Sequence, residues 1–318
     1  MHFVAILYEK TARSFESSPS TITLRGYDTR TWIPSELAQI RLPVYALAYA
    51  PCPTCRDIYL DRVAEIEIPF TWERYKGKVI DFIYKSIHKT CSDYVTQCAA
   101  RVFKLYDELI NKQGELIEGA KRKFRQDYAR IASLPRQREI NSFYDSLKKI
   151  IRFEAELTSA TINFEIARNR AANPNRIFSE HFDFNTDYSL NPRHQGFNSP
   201  AIPDFIFHHK IIGDIKSGSW KRFFEYTVIA YALAYEDHTG HNMDYGAILN
   251  VELPSSRLIP VHYEVGIEFL DDKKRERFIA LRNRKLEIIN SKRDPGKGAR
   301  EKCPPDCPFL SHCWETGD

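Results

Sequence analysis

The sequence predicts an α/β protein, a small mixed sheet flanked by helices with a helical region ahead of the sheet and cysteines near both ends. Three observations carry that prediction. From Lys76 to about Ala172 there is almost no glycine or proline, and apolar residues recur at three- and four-residue spacing. Beyond Asn173 β-branched and aromatic residues dominate and glycine punctuates them. Cysteines gather in PCPTC near the start and again in the tail.

Taken in order, WIPSELAQIRLPVYALAYAPCPTCRDIYLDRV reads as two short helices on either side of a proline-broken, cysteine-bearing turn. The stretch from residue 76 to 172, with RVFKLYDELI and FYDSLKKIIRFEAEL, reads as long helices broken near Pro135. Its basic run, Lys121, Arg122, Lys123, Arg125 and Arg130, is read as a solvated helix face. IFSEHFDF, DFIFHH and KIIGDIKSG read as strands, with a reversal near His208 to Lys210. A helix from about Ser219 to Glu236 follows, then strands near Tyr245 to Val251 and Val261 to Ile267, and a charged helix from Asp271 to Ser291. The division expected is a segment over 1–75 that contributes to the cysteine centre, a helical region over 76–172, a core over 173–292 and a cysteine tail over 293–318.

Composition narrows the class. No apolar run approaches the ~20 residues of a membrane-spanning helix, and MHFVAILYEK has neither a basic leader nor a small-residue cleavage site, so the cytoplasm is expected. Thiols stay reduced there, so seven unevenly spaced cysteines point to metal or cluster ligands before disulfides. A net charge of +4 from 46 basic and 42 acidic residues selects no partner class. The 28% charged residues and two methionines lean towards a thermophile.

The most informative stretch is IPDFIFHHKIIGDIKSG. Asp204 opens one strand, and Asp214 and Lys216 lie two apart in the next, so their side chains share a face while Ile215 turns to the other. If the strands pair, two carboxylates share a small volume and repel unless a divalent cation neutralises them. Phosphodiester hydrolysis uses such a set, with Asp204, Asp214 and the Ile215 carbonyl as ligands to Mg²⁺ or Mn²⁺ and Lys216 orienting the attacking water. An exposed Asp-x-Lys pair is usually a weak surface ion pair. Here Phe205, Phe207, Ile211, Ile212 and Ile215 mark the strands as buried, where unpaired charge is costly.

In the tail, Cys303, Cys307 and Cys313 follow the pattern C-x3-C-x5-C, suited to one thiolate centre of zinc or iron-sulfur type. The fourth ligand is Cys52 or Cys55, some 250 residues earlier, so the centre would clasp the two ends of the chain. Cys91 and Cys98 sit seven apart in a helical stretch and read as small core residues.

With both constellations in view, the chain resembles the iron-sulfur branch of the RecB-like nucleases, and within it the CRISPR-associated Cas-four family in its subtype I-A Csa branch. The residues that carry the resemblance are CPTCRDIYL, Asp204, GDIKSG, the AYALAYED helix from Ala230 to Asp237 and the three C-terminal cysteines. The resemblance implies a PD-(D/E)xK, restriction-endonuclease-like core with a helical insertion and an iron-sulfur domain. It implies a [4Fe-4S] cluster on Cys52, Cys303, Cys307 and Cys313, with Cys55 as the alternative to Cys52. It also implies Mg²⁺ or Mn²⁺ dependence, exonuclease or endonuclease action on DNA with single-stranded ends, and the CRISPR adaptation integrase proteins as partners.

By the same resemblance Tyr231 joins the catalytic set, with Thr227 where the family usually has Gln, and Asp81 or His88 supplies an upstream metal ligand. Asp214 stands where the family usually has Glu. These two departures keep a second reading in play, a weakly active or inactive cluster-bearing scaffold or DNA-end sensor, and a third is a repair nuclease of the same fold. Phe223, Phe224 and Tyr231 are aromatic candidates for stacking on unpaired bases, though most such residues are core.

Overall fold

The computed structural model describes residues 21–168, 173–182, 184–218, 220–221, 223–253, 262–304 and 307–314. The reading of the first ten residues and the expected element boundaries at Ser219 and Val261 lie outside them. No helix among the described residues is long and apolar enough to cross a membrane.

Two short helices, α1 (Val44–Ala48) and α2 (Arg56–Arg62), flank the cysteine-bearing turn. The helical region comprises α3 (Trp72–Gln97), α4 (Leu105–Lys123), α5 (Arg125–Ala129) and α6 (Gln137–Arg168). Thr71 caps α3, its hydroxyl accepting from the Arg74 N–H. The region breaks at Cys98 and Phe124 as well as near Pro135. Arg122, Arg125 and Arg130 are exposed and Lys121 pairs with Glu118 at 2.7 Å, the arrangement of a solvated face.

The stretch IFSEHFDF departs from the strand expected of it. Helix α7 spans Pro174–Phe182, and only Phe184–Asn185 forms a strand, β1. The reason is local: the Asn173 carboxamide accepts from the Asn175 N–H at 2.9 Å, and proline at the first helical position needs no donor. Burial of Ile177 and Phe178 on one side of the new helix completes it.

The sheet continues with β2 (Phe205–Phe207), β3 (Ile211–Ser217), β4 (Tyr245–Glu252) and β5 (His262–Phe269), in spatial order β1-β2-β3-β4-β5. Only β3 and β4 run parallel, joined by the crossover helix α8 (Phe224–Thr239); the other pairs are antiparallel. His208 and His209 both take positive φ in the β2–β3 reversal. Gly213 pairs with Phe205, whose ring lies so close that a Cβ on Gly213 would fall 1.9 Å from Cζ, so no other residue fits there.

Helices cover both faces. One apolar cluster joins α3, α4 and α6 to Phe205, Ile211, Ile215 and Leu249; the other joins α1, α8 and the charged helix α9 (Asp272–Ser291) to Ile206, Ile212 and Ile248. The second layer is locked by charge as well. Glu236, fully buried on α8, accepts from Arg25 at 2.8 Å, from the Gly26 N–H at 2.7 Å and from Arg275 of α9 at 2.7 Å. Removing one partner from so buried a network costs about 3–5 kcal/mol. Lys285 of α9, also fully buried, donates to the carbonyls of Ala46 (2.8 Å) and Tyr49, which fixes the chain just before Cys52.

Candidate active site

Strand pairing builds the acidic site. Asp204 lies immediately before β2, and its Oδ2 accepts from the Ile215 N–H of β3 at 2.7 Å. That bond ties the two expected acids together across the pair, since Asp214 is next in the chain. Alternation along β3 sends Ile215 into the α3 layer and turns Asp214 and Lys216 towards α8, where their side chains form an ion pair. From the other layer, α3 reaches in with Asp81 and, one turn later, Lys85. The Lys85 ammonium bridges Asp81 Oδ2 at 3.0 Å and Asp204 Oδ1 at 2.9 Å.

Three carboxylates and two ammonium groups therefore share one partly closed space. Burial foremost, joined by the charge of Asp204, pushes Asp81 up to about 7 against the pull of Lys85. Burial likewise raises Asp214 to about 7, with Asp204 adding to it and Lys216 opposing. Asp204 goes the other way: burial would raise it, but Lys85, Lys216 and the Ile215 N–H together hold it below the usual carboxylate value. Asp81 Oδ1 is buried without a hydrogen-bond partner, and Asp214 Oδ2 has none beyond its ion pair with Lys216.

Among the described residues no three His, Cys, Asp or Glu side chains converge on one metal point. At this site the Lys85 and Lys216 ammonium groups stand among the carboxylates and supply positive charge. The donor set nonetheless fits a hard divalent cation: oxygen ligands only, two of them short of compensation. Ile215 contributes its N–H to Asp204 in this arrangement.

The remaining expected residues divide. Tyr231 on α8 faces the carboxylates; burial first, then Asp214, Asp204 and Asp81, raise its hydroxyl well above the ordinary tyrosine value. Thr227 is buried one turn earlier on the same helical face. Of the two upstream candidates, Asp81 joins Asp204 through Lys85, whereas His88 is buried with its ring 6.0 Å from Phe178 of α7. Phe224 is buried and the Lys216 ammonium lies 5.7 Å over its ring, while Phe223 packs edge-on against Tyr49. Lys85 was not foreseen from sequence, although its position four residues after Asp81 on one helix was the available signal.

The cysteines form a separate site. Cys52, Cys303, Cys307 and Cys313 line one cavity between the turn before α2 and the tail, where α10 (Leu310–Trp314) begins. Cys55 does not line it; this residue occupies the N-cap position of α2 with φ of 60°, its thiol making no cap hydrogen bond, and is buried in the second apolar cluster. All seven cysteines are free thiols. Arg56, gripped by Asp294 at 2.7 and 2.9 Å, donates to Cys313 Sγ at 3.4 Å, and Thr54 holds the tail through the Gly296 carbonyl at 2.9 Å. Burial pushes the Cys307 thiol up to about 11, with Cys52 and Cys313 adding to it. The four thiols line this cavity without meeting at one point among the described residues. Buried Cys91, raised to about 12 by burial, is an inert core thiol.

Comparison with known proteins bears on both sites. The family described as CRISPR-associated exonuclease Csa1 matches residues 6–316. Among curated proteins, the CRISPR-associated exonuclease Csa1 of Saccharolobus solfataricus is 24% identical over 143 residues, 43% of this chain and 45% of that protein. The protein of the same name from Thermoproteus tenax is 31% identical over 83 residues, 26% of this chain and 28% of that protein. The chain thus spans less than half the length of each curated relative it matches. No solved structure matches it significantly.

Proposed function

The chain belongs to the family of CRISPR-associated exonuclease Csa1, and on that premise we propose that it is a divalent-metal-dependent deoxyribonuclease of PD-(D/E)xK type. It would carry a [4Fe-4S] cluster and trim DNA ends for spacer acquisition. The observation that carries the reading is the buried set Asp81, Asp204 and Asp214 beside Lys216, two of its carboxyls raised to about 7. Three carboxylates against two ammonium groups leave part of this acid uncompensated, with Asp81 Oδ1 lacking any hydrogen bond, and a divalent cation would answer that remainder.

Mg²⁺ or Mn²⁺, held by Asp81, Asp204, Asp214 and the Ile215 carbonyl, would supply charge neutralisation at the scissile phosphate and an acidified water. The protein's own groups do the rest. Asp204 is kept ionised by Lys85 and Lys216 and is ready as an anionic ligand. Lys216, flanked by Asp214 and the Phe224 ring, directs its N–H groups at the nucleophile position and at the phosphate. Tyr231 keeps its proton, because burial and the acids oppose its ionisation, and so serves as a hydrogen-bond donor to a phosphate oxygen. Trp220, exposed and edge-on to the Phe224 ring over which Lys216 lies, offers a face for unpaired bases.

The cluster on Cys52, Cys303, Cys307 and Cys313 would hold the tail to α2, and the partners expected are DNA with single-stranded ends and the adaptation integrase proteins. A catalytically weak scaffold is the second reading, favoured by Asp214 and Thr227 at positions where the resembling family carries longer side chains. One experiment separates the two: anaerobic purification, an absorbance spectrum with iron and zinc analysis, and a Mn²⁺-dependent cleavage assay on single-stranded DNA. Brown protein that cuts DNA and stops cutting on chelation supports the nuclease; brown but inert protein supports the scaffold. Colourless protein containing zinc overturns the cluster.

A further inference from the structure

Asn250 lies in β4 and is fully buried, yet neither its Nδ2 nor its Oδ1 has a hydrogen-bond partner. An unpaired amide in a strand interior is unfavourable, and the neighbours Leu249 and Val251 show what the strand otherwise selects. The register places Asn250 directly beside Lys216 of the parallel strand β3, as it places Ile248 beside Asp214. Register partners emerge on the same side of a sheet, so Asn250 shares the α8-facing surface with Asp214 and Lys216.

The Lys216 ammonium rests on Asp214 Oδ2, an oxygen with no other hydrogen bond. A divalent cation that takes Asp214 competes with Lys216 for that oxygen, and the displaced ammonium, on a side chain 26% exposed, then needs another acceptor beside the buried carboxylates. Asp204 is already occupied by Lys85 and the Ile215 N–H. We infer that Asn250 is a positioning residue: its Oδ1 accepts the Lys216 ammonium when Asp214 turns to a divalent cation, which eases cation entry and keeps Lys216 over the site. The inference rests on the nuclease reading for the identity of the cation, and the amide is the only fully buried neutral side-chain acceptor without a hydrogen bond among the described residues of these two strands.

A double-mutant cycle read by Mn²⁺ titration tests it on four full-length proteins: wild type, Asn250→Leu, Lys216→Ala and the double variant. Asn250→Leu is expected to weaken Mn²⁺ binding about tenfold when Lys216 is present, the scale typical of outer-shell partners. It should leave the affinity unchanged in the Lys216→Ala background, where no ammonium needs a new acceptor. Metal-free Asn250→Leu should also melt higher than wild type, since leucine replaces an unpaired amide. Asn250→Ala serves the same cycle if leucine is not accommodated. Equal Mn²⁺ affinity in wild type and Asn250→Leu, or the same weakening in both backgrounds, overturns the role. Wild type that shows the coupling but cuts no DNA sinks the nuclease reading alone; wild type that binds no Mn²⁺ sinks both.

Discussion

The carboxylate site and the thiol cavity are built by opposite means. Asp204, Asp214 and Lys216 come from thirteen consecutive residues and are fixed by strand pairing, with α3 adding Asp81 and Lys85. Their charges are largely answered within the protein by the two lysines. The thiols come from opposite ends of the chain, and what holds them near one another is a handful of polar contacts from Arg56 and Thr54. The contrast teaches that the first site is held by its own ion pairs, whereas the second is held by few polar contacts and would gain most in cohesion from a bound group. Loss of metal should then cost activity at one site and stability at the other.

The largest effect expected is at the carboxylates. Lys216→Ala should lower Mn²⁺-dependent cleavage of single-stranded DNA by about 10²–10³, the scale of removing one charge-stabilising donor. Its melting temperature should stay near that of wild type, which an assay on both proteins checks. A collapse of the fold in that variant would break the contrast.

Next is the clasp. Cys52→Ser should destabilise by on the order of 4 kcal/mol if a cluster acts as a cross-link across so long a loop, or roughly 6 °C in melting temperature for a protein of this size. Iron content should fall with it. Cys55→Ser, outside the cavity, should keep its iron, and calorimetry with iron analysis of the pair sharpens the comparison.

A pH series gives a smaller effect. Asp81 and Asp214 have native values raised from 3.8 to about 7, so between those limits the native state binds more protons than the unfolded chain. Stability in chelator should therefore fall as pH rises from about 4 to about 7, by a few degrees in melting temperature. Asp204, held low, acts in the opposite sense, but only below its ordinary value. Added Mn²⁺ should flatten the slope, and thermal melts with and without metal measure it.

The smallest is Arg56→Gln. Its ion pair with Asp294 is partly exposed, so the fold should lose about 1 kcal/mol or less. The cluster should bleach faster in air because Cys313 loses its donor, a change followed by absorbance.

The sequence made some of this legible for physical reasons. Strand alternation is a local rule, so Asp214 and Lys216 on one face and the His208 to Lys210 reversal were readable from residue order alone. IFSEHF misled because its aromatic texture resembles a strand, while the Asn173-Pro174 start that makes it a helix is a two-residue signal. Seeing that Asp81 shares Lys85 with Asp204 required knowing how α3 turns against β2. Asn250 became visible only once the β3–β4 register was known, because nothing in its own neighbourhood distinguishes it from an exposed strand amide. Long-range pairing is the part that local pattern does not encode.

The central claim, that buried acids and Lys216 form a cation-dependent nuclease site, is tested most directly by a single comparison. Anaerobically purified wild type and Lys216→Ala are incubated with single-stranded DNA and Mn²⁺, with a chelated control. The account predicts cleavage by wild type alone, abolished by chelation. Equal cleavage by both proteins, or cleavage that survives chelation, would contradict it.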